Sequence, residues 1–437
     1  MPNEFYDVVG VGIGPFNLGL AALAEPLDLE VALFDQKESF DWHPGMMIDG
    51  TTLQVPFFAD LVTMADVRSK YSFLHYLEQH NRMYHFYFLE KFHIPRKEYN
   101  HYCKWVSEEL SSCHFGHRVQ SVEPINLSHE ETCYEVIVQH VQTSETKVVY
   151  AKNVVLGIGS VPSIPEPFQH ALGDSVFHSS QYLDHKKFIK PNQSIAVIGS
   201  GQSAAEIFYD LASEQEEKDY SLSWYTRSNG FFPMEYSKLG LEYFSPDYTK
   251  FFYQLDQEKK DELLKDQGLL YKGISADTIS DIYNLLYEKS VGGVEPDIHL
   301  QAMTSVNKLV RDGRRWKLSG KQTITDEDVL IDADHVIFCT GYQQSTPSFL
   351  PDAVVMKDEQ GRLQISEDYR IKTIGGNHGS LFVQNGELHT HGVGAPDLGL
   401  GAHRNAVILN KIMGYDVYHL QNENVFQSFG SKVLATT

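Results

Sequence analysis

Two glycine-rich turns, each set between an apolar strand and a helix, predict an α/β fold with two Rossmann-like dinucleotide-binding domains. A Tyr-rich helical pattern over residues 231–290 predicts a small helical segment that covers a substrate. The length of 437 residues accommodates two or three such units at roughly 150 residues each.

The first turn follows an apolar strand, Tyr6 to Val11, and reads Gly12-Ile13-Gly14-Pro15-Phe16-Asn17, with a helix expected from Leu18 to Leu23. Its glycines permit a tight turn and let the backbone approach a pyrophosphate, which sits on the helix N-terminus. A second apolar run, Leu29 to Phe34, ends in Asp35, placed to accept from a ribose hydroxyl. Asn17 occupies the position where a third glycine is usual. The second turn follows Ser194 to Ile198 and reads Gly199-Ser200-Gly201-Gln202-Ser203-Ala204, again opening a helix. The next strand, Ser221 to Tyr225, ends near Arg227 rather than in an acid. An arginine there suits a 2′-phosphate, hence NADPH over NADH.

Two further apolar strands break at glycine: Val154 to Ser160, before the proline-rich link Pro162 to Pro167, and Asp332 to Tyr342, at Thr340-Gly341. They read as crossings between the domains, with the second inserted into the first. Residues 1–165 and 330–437 then form one domain, and residues 166–230 and 291–329 the other. Within 231–290, Ile279, Ile282, Leu285 and Leu286 keep helical spacing from Thr278 to Lys289. A last helix is expected from about His403 to Met413.

Composition excludes several classes. Lys+Arg number 36 against 58 Asp+Glu, a formal charge of −22. That balance argues against a nucleic-acid partner or an anionic membrane surface and is compatible with a cationic small substrate. The four cysteines, Cys103, Cys113, Cys133 and Cys339, form no CxxC pair, which points to a reducing compartment without a zinc site or redox dithiol. The run Val8 to Ala24 lacks the basic flank of a signal sequence, and no stretch is apolar enough to span a bilayer. The cytoplasm is the expected address.

Two dinucleotide sites on one chain imply two cofactors that exchange a hydride, FAD at the N-terminal turn and NADPH at the second. Disulfide reductases share this layout but need a close cysteine pair. Here the reduced flavin passes its electrons to oxygen or a small acceptor.

Further motifs are Phe40-Asp41-Trp42-His43-Pro44-Gly45-Met46, Asp60-Leu61-Val62-Thr63, Tyr71-Ser72-Phe73-Leu74, Ile94-Pro95-Arg96, His178-Ser179-x-x-Tyr182 and Thr340-Gly341-Tyr342. With them, nearly the whole chain resembles the flavin-dependent N-hydroxylating monooxygenases of siderophore biosynthesis, the lysine and ornithine N-hydroxylases and their diamine-acting relatives. The resemblance implies flavin-borne chemistry without a protein nucleophile. NADPH reduces FAD, oxygen adds to give a C4a-hydroperoxyflavin, and the distal oxygen passes to a neutral primary amine. By matching position, Trp42, His43, Gln54 and Leu400 line the flavin beside Gly12, Gly14, Pro15, Phe16, Asn17 and Asp35. Gly199, Gly201, Gln202 and Ser203 hold NADPH, with Arg227 on its 2′-phosphate. A homotetramer or dimer is also implied.

The departures from the family pattern bear on the substrate. Amino-acid hydroxylases of the family carry Phe-Leu-Lys-Asp-Leu, whose Lys pairs with the substrate carboxylate; here Phe57-Phe58-Ala59-Asp60-Leu61 puts Ala59 in that place. An Asn before a Glu becomes Leu241 before Glu242, and a Ser in a Leu-Leu-Ser run becomes Gly399 after Leu398. A buried carboxylate would be left unpaired, at a cost of several kcal/mol. The expected substrate is a primary amine without a carboxylate: putrescine, cadaverine, diaminopropane or histamine. Asp397, Glu242 and Glu387 are candidates for a far ammonium, and the aromatic stretch Tyr236 to Phe244 for an imidazole. L-lysine or L-ornithine is the alternative substrate. A carbonyl- or sulfur-oxidising relative is disfavoured by the His178 to Tyr182 segment, and a non-enzymatic flavin redox sensor is the alternative of another class. Strand alternation would put Glu387, His389 and His391 on one face; a flavin-side loop is favoured there over a metal site.

Overall fold

The computed structural model describes residues 4–126, 132–344, 346–375 and 379–431. In the first sheet Phe5–Val11 lies between Val31–Asp35 and Thr146–Leu156, parallel to both, with Cys113–Phe115 beyond Val31–Asp35. Alternation sorts its side chains. Val8 joins Leu18, Leu33 and Ile408 on one face, whereas Val9 and Val11 join Val154 and Leu156 on the other. The long strand Thr146–Leu156 changes neighbour along its length. Its first half pairs antiparallel with Thr132–His140, which returns to His117–Asn126, and its second half pairs parallel with Ser380–Val383. That late strand brings the C-terminal part of the chain back to the first sheet, where the helix Gly401–Met413 packs beside Pro15–Ala24.

The second sheet is parallel throughout. Ser194–Gly199 lies between Ser221–Tyr225 and His335–Cys339, with Ile298–Gln301 and Val176–His178 at the edges. An antiparallel meander, Thr304–Asp312, Arg315–Gln322 and Asp328–Ala333, packs against it. The boundary expected at residue 330 is therefore corrected. His335–Cys339 is a central strand of the second sheet, and the crossing follows Cys339. A buried apolar strand reads the same whichever sheet receives it. The two crossings meet: Tyr342 pairs with Pro162 and Gln343 with Val161.

The segment 231–290 is helical, with Lys238–Leu241, Pro246–Tyr253 and Ala276–Lys289 capped by the side chains of Ser237, Ser245 and Ser275. Ile282 packs into the second core beside Phe208, whereas Tyr248 and Phe252 pack on Val393 near the C-terminal part of the first domain. The segment thus touches both domains. Among the described residues no helix is long and apolar enough to cross a membrane.

Candidate active site

At the first turn Gly14 is extended and Pro15 opens the helix, which leaves the first-turn amides without intrahelical acceptors. Gly12 has φ +89°, and a Cβ there would lie 2.6 Å from the Gly157 carbonyl oxygen, so only bare backbone fits. Asp35 accepts from the Ile13 N–H at 2.8 Å and the Lys37 N–H at 2.9 Å, so its carboxylate also fixes the turn. Asn17 is fully buried. Its Nδ2 donates to the carbonyls of Val11 (3.2 Å), Gly12 (2.9 Å) and Val155 (3.3 Å), and its Oδ1 accepts from Gln384 Nε2 at 2.9 Å. Gly157 makes the room for it, since a Cβ there would overlap the Asn17 amide. The Arg404 guanidinium lies 4.7 Å from the Phe16 ring, and Asn405 Nδ2 donates to the Phe16 carbonyl at 3.0 Å.

A separate aromatic group gathers around Trp42 and His43. The Trp42 ring meets Tyr99 and His43 edge-on at 5.3 and 4.9 Å, and the Trp42 backbone N–H donates to Asn100 Oδ1 at 2.8 Å. His43 has a left-handed backbone, φ 51°, at the start of the turn Pro44–Met46. Its ring is accessible, yet walled in on several sides. That desolvation, followed by the charges of Arg96 and Lys37, pushes the imidazole down to about 4 and keeps it neutral. Tyr342 meets both His43 (5.7 Å) and His178 (5.2 Å). The Tyr342 hydroxyl and Gln54 Nε2 are buried without a hydrogen-bond partner. Orphaned donors, in a chain that also carries such a glycine turn, fit a dinucleotide whose ring carries carbonyl and nitrogen acceptors, as a flavin does.

At the second turn Gly201 caps the helix Gln202–Lys218, and a Cβ on Gly199 would overlap the Cys339 carbonyl. The Gln202 side chain is engaged elsewhere than on a phosphate. Its Nε2 donates to Glu206 Oε1 and Thr278 Oγ1, both at 3.0 Å, and its Oε1 accepts from the Ser275 N–H at 2.7 Å. A phosphate at this turn would meet the amides of the first helical turn and Ser203. Arg227 is exposed beyond Tyr225, with no hydrogen-bond or ion-pair partner among the described residues.

A junction that sequence reasoning missed joins the units. Arg96 donates through both terminal nitrogens to Glu206, at 2.7 and 3.0 Å, and also to the Met46 carbonyl at 2.7 Å. Both partners are largely buried. The motif Ile94-Pro95-Arg96 flagged one end of this pair, but nothing local connects it to Glu206.

On the substrate side, Ala59 and Gly399 come together: a Cβ on Gly399 would lie 3.9 Å from that of Ala59 and 2.7 Å from Asp397 Oδ1. Asp60 holds the Ala59 loop by accepting from the N–H groups of Val62, Thr63 and Phe73 at 2.7–3.0 Å. Asp397 accepts from the Gly399 N–H at 2.7 Å, and Leu400 turns its side chain toward Gly394. Burial pushes the Asp397 carboxyl up to about 6, against the backbone N–H groups of Gly399 and Leu400 and the Arg404 charge. Tyr236 donates to the Gln54 carbonyl at 3.5 Å. Burial and then the Asp397 charge push its phenol up to about 12. Tyr236 thus bonds the backbone at Gln54 and lies within the electrostatic reach of Asp397. The aromatic stretch had pointed to its neighbourhood without distinguishing it.

Two expected acids are corrected. Glu242 accepts from the N–H groups of Phe426 and Gln427, both at 3.1 Å, and so anchors the C-terminal segment. Its neighbour Leu241 is 42% exposed. Glu387 is fully buried, 3.0 Å from Arg404 Nε. It precedes a short helix, Leu388–His391, rather than lying on a strand. His389 bonds the Leu363 carbonyl at 2.8 Å, and His391 bonds Thr390 Oγ1 at 2.8 Å while burial pushes its ring down to about 3. Among the described residues no three His, Cys, Asp or Glu side chains are grouped to hold a metal.

Residues 4–344 match the family model of L-lysine 6-monooxygenase/L-ornithine 5-monooxygenase. The chain is 43% identical to the rhizobactin siderophore biosynthesis protein of Rhizobium meliloti, over 97% of this chain and 95% of that one. It is 43% identical to the putrescine N-hydroxylase of Shewanella oneidensis, over 98% and 84%. The crystal structure of the FAD-bound cadaverine monooxygenase of desferrioxamine biosynthesis from Erwinia amylovora superposes with a TM-score of 0.93 at 38% identity, covering 98% and 99%. Glycine turns, aromatic wall and whole-chain similarity agree, and the chain belongs to the L-lysine 6-monooxygenase/L-ornithine 5-monooxygenase family.

Proposed function

We propose that this chain N-hydroxylates a primary diamine of the putrescine–cadaverine class, with FAD, NADPH and O2, in the making of a hydroxamate siderophore. The observation that carries the substrate class is the meeting of Ala59, Gly399 and Asp397: two small residues and one acid, where a carboxylate would need a cation. The putrescine and cadaverine enzymes among the relatives support the same class.

Bound FAD, once reduced by NADPH, supplies the oxygen-activating chemistry. The chain's own groups bind, orient and exclude. The Gly12–Gly14 turn and the amides opening Pro15–Ala24 receive the FAD pyrophosphate, while Gln54 Nε2 and the Tyr342 hydroxyl present donors to the ring. Ser203 and the amides opening Gln202–Lys218 take the NADPH phosphates, with Arg227 free for the 2′-phosphate. Asp397 accepts the far ammonium and so fixes which amine end reaches the flavin. His43, held neutral, adds no positive charge that would oppose a cationic substrate.

The reading extends to a homo-oligomer, a dimer or tetramer, working in the cytoplasm. Four free cysteines, three of them buried, are consistent with that compartment.

Asp397→Asn keeps the shape and the bond from Gly399 but removes the charge. Its expected effect is a rise of about tenfold or more in KM for putrescine, with a smaller change in kcat. The KM for n-butylamine, which lacks the far ammonium, should not follow. Equal changes for both amines would contradict the assignment.

A further inference from the structure

The hydrogen bonds of Asp397 close its own turn. Its carboxylate accepts from the Gly399 N–H at 2.7 Å, and its N–H donates to the Gly394 carbonyl at 3.1 Å. Neither bond fixes that turn against the flavin side of the protein. Arg404, in the first turn of Gly401–Met413, does.

Arg404 is 1% exposed and reaches three parts of the chain at once. One terminal nitrogen donates to the carbonyls of Ala395 at 2.7 Å and Gly394 at 3.3 Å. The carbonyl that receives the Asp397 N–H is therefore one that Arg404 grips. Nε lies 3.0 Å from Glu387, whose carboxylate also accepts from the Gly386 N–H at 2.7 Å. The guanidinium meets two rings, 4.7 Å from that of Phe16 and 5.6 Å from that of Tyr369. Phe16 belongs to the first glycine turn, and its carbonyl accepts from the neighbouring Asn405 Nδ2 at 3.0 Å. A Cβ on Gly401 would lie 3.1 Å from the Phe16 ring, so the start of the helix sits directly on that turn. One side chain thus joins the Asp397 turn to the turn that receives the FAD pyrophosphate.

The energetics favour positioning over stability. Desolvating a guanidinium and a carboxylate offsets most of their attraction, so the buried pair adds little net stability. Its contribution is direction. A guanidinium is a planar fork that faces a carboxylate, grips carbonyls at set angles and packs on rings, whereas an ammonium is a point charge. A turn held in this way fixes how far the Asp397 carboxylate stands from the flavin. That distance sets where the other end of a bound diamine lies.

We propose that Arg404 is a positioning residue: it clamps the turn carrying Asp397 to the Phe16 turn and so sets where the reacting amine comes to rest. The inference rests on Asp397 as acceptor of the far ammonium, and its test separates the two.

Two measurements on the FAD-loaded protein make that test. One is hydrogen–deuterium exchange in residues 392–400. The other is the ratio of kcat/KM for putrescine to that for n-butylamine, which has no far ammonium. Arg404→Lys and Glu387→Gln should each speed exchange in the segment about tenfold and lower the ratio about tenfold. In an Asp397→Asn background the same changes should leave the ratio within about twofold, because Arg404 acts through Asp397. Asn410→Ala frees the other end of the helix from Val417 and Tyr418; it should lower Tm and keep the ratio. Flavin absorbance reports folding, and Tyr369→Leu, which removes one ring and keeps the ion pair, replaces any variant that loses its flavin. Unchanged exchange would overturn the inference, as would a ratio lowered by Asp397→Asn but not by the folded Arg404 and Glu387 variants. An equal fall with Asn410→Ala would reduce Arg404 to a structural contact and overturn it too. A ratio that Asp397→Asn itself leaves unmoved would overturn both the inference and the reading of Asp397.

Discussion

Asn17 shows how a departure from a fingerprint is absorbed. A third glycine would bring helix and strand together directly; here a buried amide fills the gap and bonds three carbonyls and Gln384. Asn17→Ala should cost about 1–3 kcal/mol in chemical denaturation and weaken flavin retention on gel filtration, because buried acceptors lose their donor. The turn was legible in the sequence, but Asn17 looked like an imperfection because Gln384 lies far along the chain. Asp397 carries a pH prediction. Its carboxyl is held up to about 6, so between its ordinary value and 6 the native state binds the extra proton, and its contribution to stability falls as pH rises through that window. An ammonium beside it favours the carboxylate instead. The KM for putrescine should therefore climb as pH falls below about 6, more steeply than that for n-butylamine, with the difference abolished by Asp397→Asn. Parallel profiles for the two amines would contradict this.

Among the elements, the helix Gln202–Lys218 bears the most connections. Its first turns hold Arg96 of the first domain through Glu206 and the start of Ala276–Lys289 through Gln202. Glu206→Ala strands a buried guanidinium and should destabilise by about 3–5 kcal/mol, whereas Arg96→Met/Glu206→Met together should cost less than that single change. Urea unfolding of the wild type and these two variants decides it. Local pattern located this helix and the strand before it, since periodicity and a glycine turn are short-range signals. It did not place His335–Cys339 in the second sheet, because sheet membership is a long-range property. Nor did it distinguish strand from helix for Leu388–His391, where four residues are too few for period two and period 3.6 to diverge. Glu387 was misplaced for a related reason: its partner, Arg404, comes from another helix.

At the scale of the molecule, two dinucleotide folds, a helical cover and the absence of a cysteine pair were legible because each leaves a compositional or periodic trace. The joining of the parts was not. The Arg96–Glu206 pair, the pairing of the two crossings at Tyr342 and Pro162, and the use of Glu242 to hold the C-terminal segment all unite residues remote in sequence. Of three acids proposed for a far ammonium, two are engaged in such structural contacts, and Asp397 is the one beside Ala59 and Gly399. The central claim is that this site accepts an amine without a carboxylate. Hydroxylamine formation measured side by side for putrescine, cadaverine, diaminopropane, histamine, L-lysine and L-ornithine tests it most directly. A diamine should give the highest kcat/KM, exceeding both amino acids by about a hundredfold or more, the factor expected when a carboxylate is left unpaired. L-lysine or L-ornithine in first place would contradict the account.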